Sequence, residues 1–117
     1  MVTVGAVLAL APPGASAINL HFLNYGPVTQ MKESDWELES EVFLKTVEEA
    51  SDGTSLGWEN PETGNSGTIT ALKRFQGPQG EPCRRIRETF KSKSYDSQYT
   101  LSVCKNADGE WKVESLR

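Results

Sequence analysis

This chain has little of what most protein chemistry needs. Its 117 residues include one histidine, His21, and two cysteines, Cys83 and Cys104. One histidine beside two cysteines that pair with each other cannot build the usual three- or four-ligand zinc site, so neither a metal nor a cofactor is expected. Long apolar runs are scarce too. The N-terminal run Val2 to Ala11 is ten residues long, too short to cross a bilayer as a helix, so no transmembrane segment is expected. There is no Gly-x-Ser-x-Gly nucleophile elbow, no internal repeat and no low-complexity tract. Positive charge is nearly missing from the first half: residues 1–66 hold two lysines against ten acids, a net of −8. Residues 67–117 reverse this with a net of +4, leaving −4 for the chain. An acidic chain without a recognised nucleic-acid module is a poor nucleic-acid binder.

What is present starts with the two cysteines. Folding the segment between them about the Lys93–Ser94 bond sets Cys83 opposite Cys104, Ile86 opposite Leu101, and Thr89 opposite Gln98. Side chains alternate faces along a strand. One face then collects Ile86, Phe90, Tyr99, Leu101 and Val103. The other collects Cys83, Arg85, Arg87, Thr100, Ser102 and Cys104. An apolar face against a polar one predicts a half-buried hairpin, and a cross-strand disulfide fits the pairing of the cysteines. Disulfides persist in oxidising compartments, which points to export.

The N-terminus agrees. The apolar run is broken at Pro12-Pro13-Gly14, and Ala15-Ser16-Ala17 is a small-residue cleavage pattern. Residues 1–17 therefore read as a signal peptide, although no lysine or arginine precedes the run. Residues 18–33 read as a lead-in segment, and residues 34–117 as one small domain.

Ser34-Asp35-Trp36-Glu37 has capping-box spacing, with Ser34 as N-cap and Glu37 three residues on. It predicts a helix from about Asp35 to Ala50. Leu38, Val42, Phe43, Thr46, Val47 and Ala50 form the apolar stripe, and Glu37, Glu41, Glu48 and Glu49 the wet side. Asp52-Gly53 ends the helix. Strands follow: Ser55 to Glu59; Gly67 to Phe75, with Ile69, Ala71 and Phe75 on one side; the cysteine hairpin; and Glu110 to Leu116, where Trp111 and Val113 share a face. Turn formers Asn60 to Asn65 and Asn106 to Gly109 separate them. The fold class is α+β, one N-terminal helix packed on a four- to five-stranded antiparallel sheet.

From Trp58 onward the sequence resembles a known family. Trp58-Glu59-Asn60-Pro61-Glu62-Thr63-Gly64-Asn65-Ser66-Gly67-Thr68-Ile69-Thr70 is similar to the W-x-N-P-x-T/S-G-x-x-G-x-[VI]-T signature of the bacterial surface antigen domain. That domain forms the C-terminal part of proteins like the rickettsial 17-kilodalton surface antigen. Cys83-Arg84 matches the C-R that opens the family's next strand. Cys104-Lys105-Asn106-Ala107-Asp108-Gly109-Glu110-Trp111 is similar to its closing C-R-x-x-D-G-x-W. The resemblance covers roughly residues 34–116. Many relatives carry a lipid-attachment cysteine and a glycine-rich segment before this domain. Residues 1–33 show neither, and the often glycine-rich hairpin tip is Lys91-Ser92-Lys93-Ser94. The resemblance implies an exported domain of the bacterial envelope, periplasmic or on the cell surface, without an established catalytic activity.

Candidate binding residues are few. Arg84, Arg85, Arg87, Lys91 and Lys93 make the hairpin basic, which suits an anionic envelope polymer or an acidic neighbouring envelope protein. A solvated, edge-protecting set of charges is the plainer reading. Trp36, at the helix start, is the best candidate for an exposed ring, while Trp58 and Trp111 fall at in-facing positions. The helix acids read as solvated rather than catalytic. The expected function is a non-enzymatic envelope or surface protein that works by binding. The alternative is a small-molecule or peptide-binding domain with its pocket between helix and sheet.

Overall fold

The computed structural model describes residues 31–116. The expected signal segment and most of the lead-in segment lie outside the described residues. Helix α1 spans Glu33–Glu49, followed by five strands: β1 Ser55–Asn60, β2 Asn65–Gln76, β3 Pro82–Lys91, β4 Asp96–Lys105 and β5 Trp111–Leu116. The strands form one antiparallel sheet in the order β1-β2-β3-β4-β5, so each strand pairs with the next in sequence. Short turns suffice for such a meander.

The β3–β4 register follows the symmetry of the sequence. Cys83 pairs with Cys104, Ile86 with Leu101, Arg87 with Thr100, and Thr89 with Gln98. The cysteines form a disulfide with an S–S distance of 2.01 Å and Cα atoms 4.0 Å apart. It closes a loop with a sequence separation of 21 residues. By the chain-entropy argument such a loop contributes roughly 3 kcal/mol. Cys83→Ser combined with Cys104→Ser is therefore expected to lower the melting temperature clearly while leaving the hairpin formed, because the apolar Ile86 face remains. Thermal melts with and without reductant check this; a double variant that melts with the wild type would remove the disulfide from the account of stability.

The helix lies on the Ile86 face. Phe43 and Val47 pack against Ile69, Ile86, Leu101, Val103 and Trp111, all buried. Along β2, Ile69 and Ala71 point into this core, but the register shifts between Ala71 and Arg74. That irregularity moves Phe75 to the opposite face, where it pairs with Cys83 and is 41% exposed. The expectation that Phe75 would share a face with Ile69 is corrected by the extra residue of a bulge.

The helix begins earlier than the capping-box spacing suggests. Lys32, not Ser34, is the N-cap, and Asp35 accepts a hydrogen bond from the Lys32 N–H at 2.9 Å. At the other end the last turn carries no basic residue of its own, and the sheet supplies the positive charge. Arg84 donates to the carbonyls of Thr46 and Val47 at 3.5 and 3.3 Å, and Arg74 donates to the Glu48 carbonyl at 3.2 Å. These groups satisfy carbonyls that the helix leaves open and oppose its negative end. Glu48 accepts from Trp111 Nε1 at 2.9 Å and from Lys105 Nζ at 3.1 Å, tying the same end to β4 and β5.

Candidate functional site

Strand alternation sorts the candidate residues onto two faces of the sheet. On the face away from α1, β3 presents Cys83, Arg85, Arg87, Thr89 and the exposed Lys91 in one row. Arg87 is paired with Thr70 on one side and Thr100 on the other, and Arg85 with Ser102. Hydroxyls are already linked across this face, Thr68 to Thr89 and Ser55 to Thr70, each at 2.6 Å. Lys93 is exposed in the turn beyond Lys91. The structure therefore brings Arg85, Arg87 and Lys91 together among hydroxyls, with Lys93 at the end of the row.

Arg84 does not join them. As an even-numbered residue of β3 it points to the helix side with Ile86, and it is fully buried. Its Nε donates to the Leu72 carbonyl at 3.0 Å, and one terminal nitrogen contacts Asp52 at 2.8 Å. The expectation of a fully solvated basic hairpin is thus corrected at this position: Arg84 serves the fold.

The Asn60–Asn65 turn also serves the fold. The Asp35 carboxylate accepts from Asn60 Nδ2 at 2.8 Å, Thr63 Oγ1 at 2.7 Å and Asn65 Nδ2 at 2.9 Å, in addition to the Lys32 N–H. Burial alone would raise its pKa, but these four hydrogen bonds hold it below the usual carboxylate range. Gly64 takes φ +79° and closes the turn with its N–H on the Asn60 carbonyl at 2.8 Å. Gly67 must lack a side chain, because a Cβ there would lie 2.6 Å from Trp58 Nε1 and 2.5 Å from the Thr89 carbonyl. The polar turn is the clamp that fixes the start of α1 to the sheet.

Between the first half of α1 and strands β1, β3 and β4 lies a small cavity with room for about one water-sized group, ≈ 10 Å³. Trp36 and Glu39 line it from the helix, and Trp58, Glu88, Phe90 and Tyr99 from the sheet. Trp58 and Phe90 stand with ring centroids 6.3 Å apart. Glu39 and Glu88 are 3% and 4% exposed. Burial raises the pKa of both; at Glu39 the neighbouring Glu88 carboxylate adds to this. Burial therefore favours the protonated form at both positions, and the two carboxyls hydrogen-bond each other. Glu39 Oε1 and Glu88 Oε2 have no hydrogen-bond partner among the described residues.

Outside Trp36 a second, larger groove of ≈ 1020 Å³ runs between α1 and the β1–β2 turn. Leu38, Leu44 and Pro61 give it an apolar floor, and Glu33, Glu37, Glu41 and Glu62 line it with acids. Half-buried Trp36 borders both spaces, on the helix side of the sheet and away from the Arg85–Arg87 row. Near the disulfide, Glu81 comes within 4.8 Å of both cysteine sulfurs. Sulfurs joined to each other offer no thiolate to a metal, so this is not a metal centre.

Three residues central to this geometry, Asp35, Glu39 and Glu88, are not among the candidates the sequence offered, and Arg84 was grouped there with the basic hairpin rather than with the core. Alternation carried the signal for two of them, since Arg84 and Glu88 occupy the same parity as Ile86 and Phe90. Helical spacing carried it for the others, since Asp35, Glu39, Phe43 and Val47 recur every four residues on one face.

Comparison with known proteins agrees with this architecture. Residues 45–112 match the family model described as 17 kDa outer membrane surface antigen. The chain is 30% identical over 109 residues to the 17 kDa surface antigen of Rickettsia bellii, covering 93% of this chain and 69% of that protein. It is 29% identical over 83 residues to the 17 kDa surface antigen of Rickettsia conorii, covering 71% of this chain and 52% of that protein. No solved structure matches the chain. The chain belongs to the 17 kDa surface antigen family.

Proposed function

We propose that this protein is an exported bacterial surface or envelope protein that acts by binding, not by catalysis, and that its basic sheet face is the surface that binds. The relatives named as surface antigens support the location, and the disulfide suits an oxidising compartment. On this reading residues 1–17 are removed on export. The one observation that carries the binding surface is the row of Arg85, Arg87 and Lys91 set among the hydroxyls of Thr70, Thr89 and Thr100. Guanidinium groups fork onto phosphate and carboxylate oxygens, and neighbouring hydroxyls add donors and acceptors. An extended anionic polymer of the envelope fits that chemistry.

The non-catalytic reading draws on the acids. The two with raised pKa values, Glu39 and Glu88, border a space of ≈ 10 Å³, which has no room for a substrate and its transition state.

Arg85→Ser combined with Arg87→Ser is expected to weaken binding to an acidic polysaccharide by about tenfold at low salt. The melting temperature should stay nearly constant, because half-exposed charges contribute little to stability. Raising the salt should weaken wild-type binding steeply. Binding that ignores both salt and the double substitution would reject this face as the binding surface.

A further inference from the structure

One end of the sheet carries two features that the fold does not use. The start of α1, the β1–β2 turn and the β3–β4 turn all lie there: Asn60 pairs with Asn65, Ser66 pairs with Lys91, and Asn60 Nδ2 donates to Ser34 Oγ at 2.9 Å. The first feature is the groove between α1 and the β1–β2 turn. Its apolar floor includes Leu38 and Leu44, half-buried Trp36 borders it, and Glu37, Glu41 and Glu62 stand along it exposed. The second is the tip of the β3–β4 turn. Tyr95 is 38% exposed there. Its ring leans on Phe90 with centroids 6.5 Å apart, and its carbonyl accepts from the Ser92 N–H at 2.8 Å and from Ser92 Oγ at 3.2 Å. The tip is thus closed and its ring held in place. Beside it, exposed Lys93 runs past the β1–β2 turn, its Cε 3.6 Å from where a Cβ on Gly64 would lie. Among the described residues, neither Lys93 nor Glu37, Glu41 or Glu62 takes part in an ion pair.

We propose that this end of the molecule is the interface of a two-fold dimer, in which the Tyr95 tip of each copy enters the α1 groove of the other. The two surfaces are complementary in chemistry. Tyr95 brings an apolar ring to an apolar floor and keeps its hydroxyl at a polar rim. Lys93 brings a cation to acids that have none beside them. Tyr95 does not line the groove of its own chain, so the tip that fills it comes from a second copy. Because tip and groove lie side by side at one end, a two-fold axis satisfies both contacts at once and the pair closes. Were they at opposite ends, the same contacts would build an open chain.

Such an interface has an aromatic anchor inside a charged rim, the usual arrangement of a hot spot. The anchor is pre-organised, since Phe90 and the Ser92 hydrogen bonds already hold it, and little side-chain freedom is lost on docking. The contact is small, so monomer and dimer exchange at micromolar concentrations and no permanent pair forms. The Arg85–Arg87 row on the open sheet face takes no part, and the dimer does not depend on the binding proposed there.

The test is sedimentation of the full chain from micromolar to near-millimolar concentration. The mass should rise from that of one chain to that of two and stop there, and added salt should weaken the association. Tyr95→Ser should weaken it about a hundredfold, since each dimer loses two anchors. Lys93→Glu alone, and Glu37→Lys combined with Glu41→Lys in another chain, should each weaken self-association about tenfold. Mixing those two variants should restore a dimer with one copy of each, because the reversed tip then meets the reversed groove and the unchanged tip meets the unchanged groove. Arg85→Ser with Arg87→Ser should associate as the wild type does. A chain that stays monomeric throughout would overturn the proposal, and so would growth beyond two copies. A dimer indifferent to both Tyr95→Ser and Lys93→Glu, or lost with Arg85 and Arg87, would place the interface elsewhere and reject this one. A chain that associates only after residues 18–30 are deleted would assign the groove to that segment, again against the proposal.

Discussion

Arg84→Met is expected to lower the unfolding free energy by about 3–5 kcal/mol, the usual cost of removing one member of a buried charged network. The methionine keeps most of the stem volume, so the loss is not mainly a cavity effect. What disappears is the donor set. The Leu72 carbonyl loses its 3.0 Å contact, and the Thr46 and Val47 carbonyls at the end of α1 lose the side chain that serves them. Arg84→Lys should fall between methionine and the wild type, because a single ammonium cannot reach in three directions as a guanidinium does. Asp52→Ala should cost about 0–1 kcal/mol. Asp52 is the ionic partner of Arg84, but its side chain is 61% exposed, and water replaces most of what it gives. Urea denaturation of the four proteins checks the ranking. An Asp52→Ala loss as large as that of Arg84→Met would mean that the ion pair, not the carbonyl contacts, anchors the helix end.

Arg84 also shows how far the sequence could be read. The hairpin register was legible because two cysteines and an apolar face both fix it, and a slip of one residue would bury Arg85 and Arg87 in place of Ile86. The helix was legible from its apolar spacing. The Phe75 face was not, because a bulge leaves no mark in an alternating pattern until the partner strand is known. Charged residues were assigned to water by type. That rule holds for Glu41 and Lys91, which are exposed, and fails where another element brings partners. Arg84 meets the carbonyls of a helix end more than thirty residues earlier in the chain, and no local pattern encodes that meeting.

The family signature takes on physical meaning in the same way. Asn60, Thr63 and Asn65 hold Asp35; Gly67 makes room for the Trp58 ring; Asn106 accepts from the N–H groups of Asp108 and Glu110 at 2.9 Å each, shaping the last turn. Trp111 closes the core and reaches Glu48. These matched positions describe how the domain is built. The residues proposed to bind the polymer, Arg85 and Arg87, stand between the signature segments. A resemblance carried by framework residues therefore fixes the fold more firmly than the ligand.

Asp35→Ala is expected to cost at least about 3 kcal/mol, since four hydrogen bonds to one charged carboxylate vanish together and two of their donors are buried amides. Asp35→Asn should cost less, because one oxygen remains to accept while the new amide faces the Asn60 or Asn65 donors. The pH dependence separates charge from shape. The folded-state pKa of Asp35 lies below its ordinary value of 3.8. Its contribution is therefore fully present above that value and is lost as pH falls through the folded-state pKa. Glu48, also lowered, by Trp111 and Lys105 against the effect of burial, adds to the same acid limb. Glu39 and Glu88 act in the opposite direction. Their folded-state pKa values lie above the ordinary 4.5, so their protonated forms favour the fold below that value and the advantage is lost as pH rises through the raised pKa values. Stability measured by urea from pH 2 to 9 should thus fall at both ends for the wild type. In Asp35→Asn the acid limb should shrink to the part owed to Glu48, with the alkaline limb unchanged. An acid limb of undiminished size in that variant would show that the clamp at the start of α1 does not depend on the Asp35 charge.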